Sequence, residues 1–264
     1  MIKKLVILIF ILFFISLQWY DLNSKTSNLP IDEPVIDEPI VDEPIEEEIK
    51  YTIVIDPGHG PWVNNDVEPI APGSDKMKRK YGVGTVGNTT GTMEREINLN
   101  VSLMLRDLLE KDGFIVIMTR TYHEVILSNI ERVELANDNN ADLMIRVHND
   151  SHQNQSIHGA SMLVPGDVGY ASDIMDISRQ YGEIILNTLV EEVGMSNRGI
   201  ITRTDQTGFN WSKVPIMTVE MGFLSNPDED RLLSTSEYQE KLAYALYKGI
   251  LKCFNKKTLL NQIE

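Results

Sequence analysis

Short apolar strands that alternate with helices of ten or more residues constrain this chain more than any other feature. Tyr51 to Ile55 (YTIVI) is β-branched and runs into Asp56-Pro57-Gly58-His59-Gly60, the pattern of a buried strand entering a tight turn. Residues 61–93, rich in Gly, Pro, Asn and Thr, read as a long loop. Glu94 then opens an amphipathic helix, with Ile97, Val101, Met104, Leu105 and Leu108 on one face and Gly113 as its stop. Phe114 to Met118 is a second strand, and Ser128-Asn129-Ile130-Glu131 is a capping box for a helix reaching about Asn139. Leu143 to Val147 makes a third strand. Further strands follow near Ala160 to Val164 and Ile216 to Val219, with helices from about Ala171 to Val193 and near Ser236 to Phe254. This alternation predicts an α/β fold: a single domain with a largely parallel central sheet flanked by helices.

In such sheets ligands bind beyond the carboxyl ends of the strands. Three strands end on chemistry-bearing residues: His59 after YTIVIDPG, His148 after LMIRV, and Glu220 after IMTV. Glu94, in the first turn of its helix, has a carboxylate favoured by the helix dipole and can reach the same edge. Two imidazoles and one carboxylate are the ligand set of an open catalytic zinc site, and a second carboxylate remains to serve as base. Glu96 shares that first turn, so periodicity alone leaves Glu94 and Glu96 as competing ligands. His148 and His152 are four apart, but Asn149-Asp150-Ser151 is poor helix material, which argues against a helical zinc pair. His123, His152 and His158 lie in polar stretches and read as surface residues. Asp56 reads most simply as a turn former bonding to backbone, with a contact to His59 as the lesser reading. Glu220 sits in the apolar run VPIMTVEMGF, where an unpaired charge is costly unless it has a function.

Composition narrows the field. The chain has 264 residues and carries 24 Lys+Arg against 39 Asp+Glu, a net charge of -15, which disfavours nucleic acid and anionic lipid surfaces as partners. Its single cysteine, Cys253, excludes an intramolecular disulfide framework and any zinc site built from several thiolates. Residues 1–20 place Lys3 and Lys4 before an apolar run from Leu5 to Leu17, an export signal. The run is shorter than the ~18 residues a spanning helix needs, which favours cleavage. The lack of a small-residue cleavage site, and Trp19 and Tyr20, favour an uncleaved membrane anchor. The expected location is therefore extracellular, secreted or tethered to the outer face of the membrane. Residues 21–50 repeat Asp-Glu-Pro three times and hold ten acids and two lysines, an acidic, proline-rich, disordered linker. Residues 51–264 remain for one catalytic domain.

At these residues the chain resembles a known family, the zinc-dependent N-acetylmuramoyl-L-alanine amidases of the type 3 catalytic domain, which are cell-wall hydrolases. The resemblance covers essentially all of 51–264. It is carried by Ile53-Val54-Ile55-Asp56-Pro57-Gly58-His59-Gly60, Glu94-Arg95-Glu96-Ile97-Asn98-Leu99, Thr119-Arg120, Glu131-Arg132, Arg146-Val147-His148, and Val219-Glu220-Met221-Gly222-Phe223-Leu224-Ser225-Asn226-Pro227. It implies that His59, Glu94 and His148 ligate zinc, that Glu220 is the catalytic carboxylate, and that the substrate is peptidoglycan, cut between N-acetylmuramic acid and L-alanine, which adds the cell wall to the expected location. Because the family's metal Glu lies four residues before the Asn-Leu pair, here Asn98-Leu99, the resemblance selects Glu94 over Glu96. The chain departs from the family in having Arg146 two residues before the second zinc His, where Ser is common, and Asp150 two after, where Asn is common. The alternatives are a non-catalytic peptidoglycan-binding protein on the same scaffold and a zinc peptidase acting on the stem peptide.

Overall fold

The chain folds in the order β1 (Thr52–Pro57), β2 (Asn64–Pro69), β3 (Met77–Tyr81), α1 (Glu94–Lys111), β4 (Ile115–Met118), α2 (Asn129–Asp138), β5 (Leu143–Asp150) and β6 (Ala160–Pro165). A 3-10 turn (Gly169–Asp173), α3 (Met175–Val193), β7 (Asn197–Arg203), α4 (Thr207–Asn210), β8 (Ile216–Phe223), α5 (Pro227–Leu233) and α6 (Ser236–Cys253) complete it. This is a computed structural model describing residues 50–254, which fall in one compact unit. The expected signal or anchor at 1–20 and the acidic linker, apart from Lys50, lie outside the described residues.

Six strands form one sheet in the order β4-β1-β5-β8-β6-β7, and every neighbouring pair is parallel except β6 with β8. The expected largely parallel sheet is what forms. After β1 the chain crosses through α1 to β4 on one side, then returns through α2 to β5 on the other. The strand order therefore reverses between β1 and β5, and that reversal opens a crevice at their carboxyl ends.

The pleat sorts each strand's residues between two apolar layers. Ile53, Ile55, Leu143, Ile145, Met217 and Val219 face one layer with α1, α3 and α6, where Ile97, Leu105, Ile185 and Leu246 are buried. Val54, Met144, Leu163 and Ile216 face the other with Val133 and Ala136 of α2 and Phe209 of α4. Fully burying a side chain of this size is worth about 1.5–3 kcal/mol, so the alternation along β1, β5 and β8 fixes their register. The capping box of α2 is present: Ser128 accepts from the Glu131 amide and Glu131 accepts from the Ser128 amide.

Residues 61–93 are not one long loop. They contain the antiparallel hairpin β2–β3, whose strands NNDVEP and MKRKY lack the apolar alternation that marks a half-buried strand. Glu68 supplies its anchor. The carboxylate is buried and accepts from the Asn129 amide at 3.2 Å, the Ile130 amide at 3.3 Å and Asn129 Nδ2 at 2.7 Å, placing a negative charge on the N-terminus of α2. β7 also went unread in the sequence, because NRGIITR is a polar, largely exposed edge strand.

Candidate metal centre and active site

On the α2 side of the sheet, apolar residues give way to polar ones as each strand approaches its carboxyl end. β5 presents Met144, then Arg146, then His148; β8 presents Ile216, then Thr218, then Glu220. Register puts Arg146 beside Asp56 and Thr218, and His148 beside Glu220. The next turn of β1 brings in His59, and the first turn of α1 brings in Glu94. The four residues singled out from the sequence thus meet at one crevice of about 660 Å³.

Among the described residues, His59, Glu94 and His148 alone form a group able to hold a metal ion, with ligand atoms all within 4.8 Å of one another. Glu94 Oε1 lies 3.0 Å from His59 Nε2 and 3.2 Å from His148 Nδ1. The other ring nitrogen of His59, Nδ1, lies 3.1 Å from the Gly82 carbonyl. A carbonyl only accepts, so Nδ1 carries the hydrogen, and in the neutral ring Nε2 then turns a lone pair toward a carboxylate oxygen. Two acceptors at that distance need a cation between them, a proton or a metal. His148 is held neutral, since burial outweighs the opposing pull of Glu94 and pushes its pKa down to about 4. Its Nε2 is buried without a hydrogen-bond partner. For Glu94, burial pushes the pKa upward, yet the hydrogen bond from His148, and that from His59 whenever a proton occupies Nε2, prevail and hold the carboxylate well below its usual range. An ionised carboxylate beside two imidazoles at these distances fits a divalent cation of the zinc type.

The surrounding backbone is shaped to these three side chains. A Cβ on Gly58 would lie 2.2 Å from the His148 ring, so only glycine lets the β1 turn pass there. Gly84, at φ +82°, sits where a Cβ would lie 2.7 Å from Glu94 Oε2 and 2.8 Å from His59 Cδ2. The following amide, Thr85 N–H, donates to Glu94 Oε2 at 2.8 Å, while Asn98 Nδ2 and the Asn149 amide each donate to Oε1 at 3.2 Å. Glu96 is half-buried and does not line the crevice. His123, His152 and His158 are exposed, as expected.

Glu220 stands beside His148 in register, with Oε2 buried and without a hydrogen-bond partner. Burial first, then the charges of Glu94 and Asp150, raise its pKa well above the usual carboxylate range. A proton-hungry carboxylate next to a candidate metal site is the arrangement of a general base and acid.

Asp56 is not the turn former that its sequence context suggests. Its carboxylate is fully buried and accepts from Arg132 at 2.5 Å, Arg146 at 2.9 Å and Thr119 Oγ1 at 2.6 Å. Burial acts to raise its pKa, but the two guanidiniums prevail and hold it well below the usual range. Arg132 also donates to the Pro57 carbonyl at 3.2 Å and to that of His59 at 3.0 Å. Arg120 grips the same turn through the Pro57 and Gly58 carbonyls at 2.9 and 3.0 Å. These contacts hold His59 at φ +68°, a left-handed conformation costing a non-glycine residue roughly 1 kcal/mol. Thr119-Arg120 and Glu131-Arg132 carried the resemblance without a role; Thr119, Arg120 and Arg132 fix the turn that aims His59, while Glu131 caps the helix that carries Arg132.

A family profile described as N-acetylmuramoyl-L-alanine amidase matches residues 53–252. The chain belongs to that family. By membership it is an amide-hydrolysing enzyme of the N-acetylmuramoyl-L-alanine amidase class. A germination-specific N-acetylmuramoyl-L-alanine amidase of Bacillus subtilis is 30% identical over 220 residues, covering 78% of this chain and 80% of that protein. The crystal structure of an N-acetylmuramoyl-L-alanine amidase from Clostridium difficile superposes with a TM-score of 0.64 at 26% identity, covering 79% of this chain and 98% of that one. An N-acetylmuramyl-L-alanine amidase of Mycobacterium smegmatis superposes at 0.71 with 22% identity, covering 78% and 97%, a likeness of fold. The amidase crevice of this chain also contains residues that its sequence alone did not single out: Lys78 and Arg79 from the hairpin, Gly82 to Thr85 over Glu94, and Gln206.

Proposed function

We propose that this chain is an exported, zinc-dependent peptidoglycan hydrolase that cleaves the amide between N-acetylmuramic acid and the L-alanine of the stem peptide. His59, Glu94 and His148 would hold the zinc, and Glu220 would be the catalytic carboxylate. One observation carries the reading: an ionised, buried Glu94 oxygen faces nitrogens of two imidazoles at 3.0 and 3.2 Å, beside a carboxylate that favours its protonated form. Zinc bound there supplies Lewis acidity, polarising the scissile carbonyl and acidifying water. Glu220 takes the proton of the attacking water and delivers it to the leaving amine of alanine, so its high proton affinity serves both halves of the step. Thr85, Asn98 and the Asn149 amide keep Glu94 oriented, and Arg132 keeps His59 presented, so the ligands need no rearrangement.

Export rests on residues 1–20, with their two lysines ahead of an apolar run, and the acidic segment to residue 50 would serve as a solvated tether. Among the described residues no helix is long and apolar enough to cross a membrane. The deciding experiment digests purified peptidoglycan and reads the products by mass spectrometry. The expected products are stem peptides with a free L-alanine amine and glycan chains stripped of peptide, lost on chelation and restored by zinc. Glu220→Gln should abolish turnover while elemental analysis still finds bound metal. Release of fragments cut within the stem peptide would instead identify a peptidase.

A further inference from the structure

The crevice collects cations as well as the metal-site acids, in a protein whose net charge is -15. Arg146 is 6% exposed and sits two residues before His148 on the same strand face, about 7 Å along the strand beneath it. Its Nε pairs with Asp56, whose carboxylate is already shared with Arg132. Its two terminal nitrogens reach only neutral amides, Gln206 Oε1 and Asn129 Oδ1, each at the limiting distance of 3.5 Å. One edge of the guanidinium is thus fixed, and the other, the fork that matches a carboxylate, faces the crevice. Beside Arg146 in register, Thr218 lines the same crevice with a buried hydroxyl that has no hydrogen-bond partner.

Lys78 reaches in from β3. Its ammonium donates to the Asp205 main-chain carbonyl, while the Asp205 carboxylate is held by both arms of Arg203 at 2.7 and 2.9 Å. Burial first, with Arg203 and Arg146 adding to it, lowers the pKa of Lys78, whereas the Asp205 charge acts the other way. A half-buried ammonium, a guanidinium fork in the crevice lining and an orphaned hydroxyl beside it are the parts of an anion subsite.

We infer that Arg146, Lys78 and Thr218 form a recognition site for a carboxylate on the peptide side of the substrate, one residue beyond the scissile amide. This rests on the amidase reading. One residue of extended chain spans about 3.3–3.6 Å and a side chain or α-carboxylate adds to that, so a group near the second residue of the stem can reach a floor about 7 Å from the metal ligands. Arg146 departs from the family pattern, so the preference would be a property of this chain and of relatives sharing the arginine. Asp56 holds the Arg146 Nε at 2.9 Å, and the hairpin anchored by Glu68 carries Lys78.

The test uses the full chain and two tripeptides, L-alanyl-γ-D-glutamyl-L-lysine and the same peptide with its D-glutamyl α-carboxylate converted to the amide. Calorimetric binding is read alongside hydrolysis of the corresponding N-acetylmuramoyl peptides. The wild type should favour the free carboxylate by about tenfold in both Kd and kcat/KM, the worth of one charge-assisted contact. Arg146→Gln and Lys78→Met should each reduce that ratio to about threefold or less, with the larger loss falling on the free-carboxylate peptide. If Arg146→Gln fails to fold for want of an Asp56 partner, Lys78→Met decides, because its ammonium bonds only a loop carbonyl. Equal wild-type affinity for the two peptides, or variants that weaken both alike, would overturn the site. Carboxylate-selective binding without hydrolysis would leave the subsite standing and remove the amidase reading, whereas hydrolysis without selectivity would do the reverse.

Discussion

Asp56→Asn isolates the charge that organises the floor of the site. The substitution keeps the shape of the side chain and one acceptor, but leaves Arg132 and Arg146, whose side chains are 3% and 8% exposed, without a counter-charge. Removing one partner of a buried ion pair costs about 3–5 kcal/mol, because the other charge stays desolvated. Taking about 4 kcal/mol, and 2–4 °C per kcal/mol for a domain of this size, the expected fall in Tm at pH 7 is roughly 8–16 °C. The sign of the pH dependence follows from the depressed pKa of Asp56. Its contribution is fully present above the unfolded-state value of about 3.9 and is lost as the pH falls from there toward the folded value. The gap between wild type and variant should therefore hold through neutral pH and narrow only in strong acid. Calorimetric scans of both proteins from neutral to acid pH measure it. A fall at pH 7 of less than about 1 kcal/mol, or a gap that stays constant into acid, would refute the pairing as the source of stability. Metal affinity supplies a second readout, since Arg132 links Asp56 to the His59 carbonyl.

Gly84→Ala places a methyl 2.7 Å from Glu94 Oε2 on a backbone already at φ +82°, and should weaken metal binding by about 10–100-fold in chelator competition. Unchanged affinity would show that the loop yields freely. Glu220→Gln has a stability signature as well as a catalytic one. Because burial raises the Glu220 pKa, metal-free wild type should lose stability as pH rises above the unfolded-state value of about 4.3. The metal-free Gln variant should match it in acid and become the more stable of the two by pH 7 in thermal scans; parity at pH 7 would contradict the enclosure of that carboxylate.

The parts legible in the sequence were those whose signal is local. YTIVI, LMIRV and IMTV announce buried parallel strands because both their faces are apolar, and the chemistry they deliver stands at their ends, where a change of polarity shows. The hairpin β2–β3 stayed hidden because its stability comes from Glu68 on the N-terminus of α2, a contact across about sixty residues of sequence, and not from its own pattern. Asp56 stayed hidden for a related reason: Asp-Pro-Gly is the composition of a turn, and a buried acid between two arginines from α2 and β5 has no signature in its own neighbourhood. Yet part of it could be read. Arg146 lies two residues before His148 in a strand, and the period of the pleat requires those side chains to share a face. A buried strand residue that is cationic and shares the face of a candidate metal ligand must find a counter-charge on that face. The nearest acid on the neighbouring strand, reached by aligning YTIVIDP with LMIRV, is Asp56. The same pairing fixes one edge of the Arg146 guanidinium and leaves the other, held only at 3.5 Å by Gln206 and Asn129, in the lining of the crevice, so the contact that stabilises the floor also sets where the remaining donors lie.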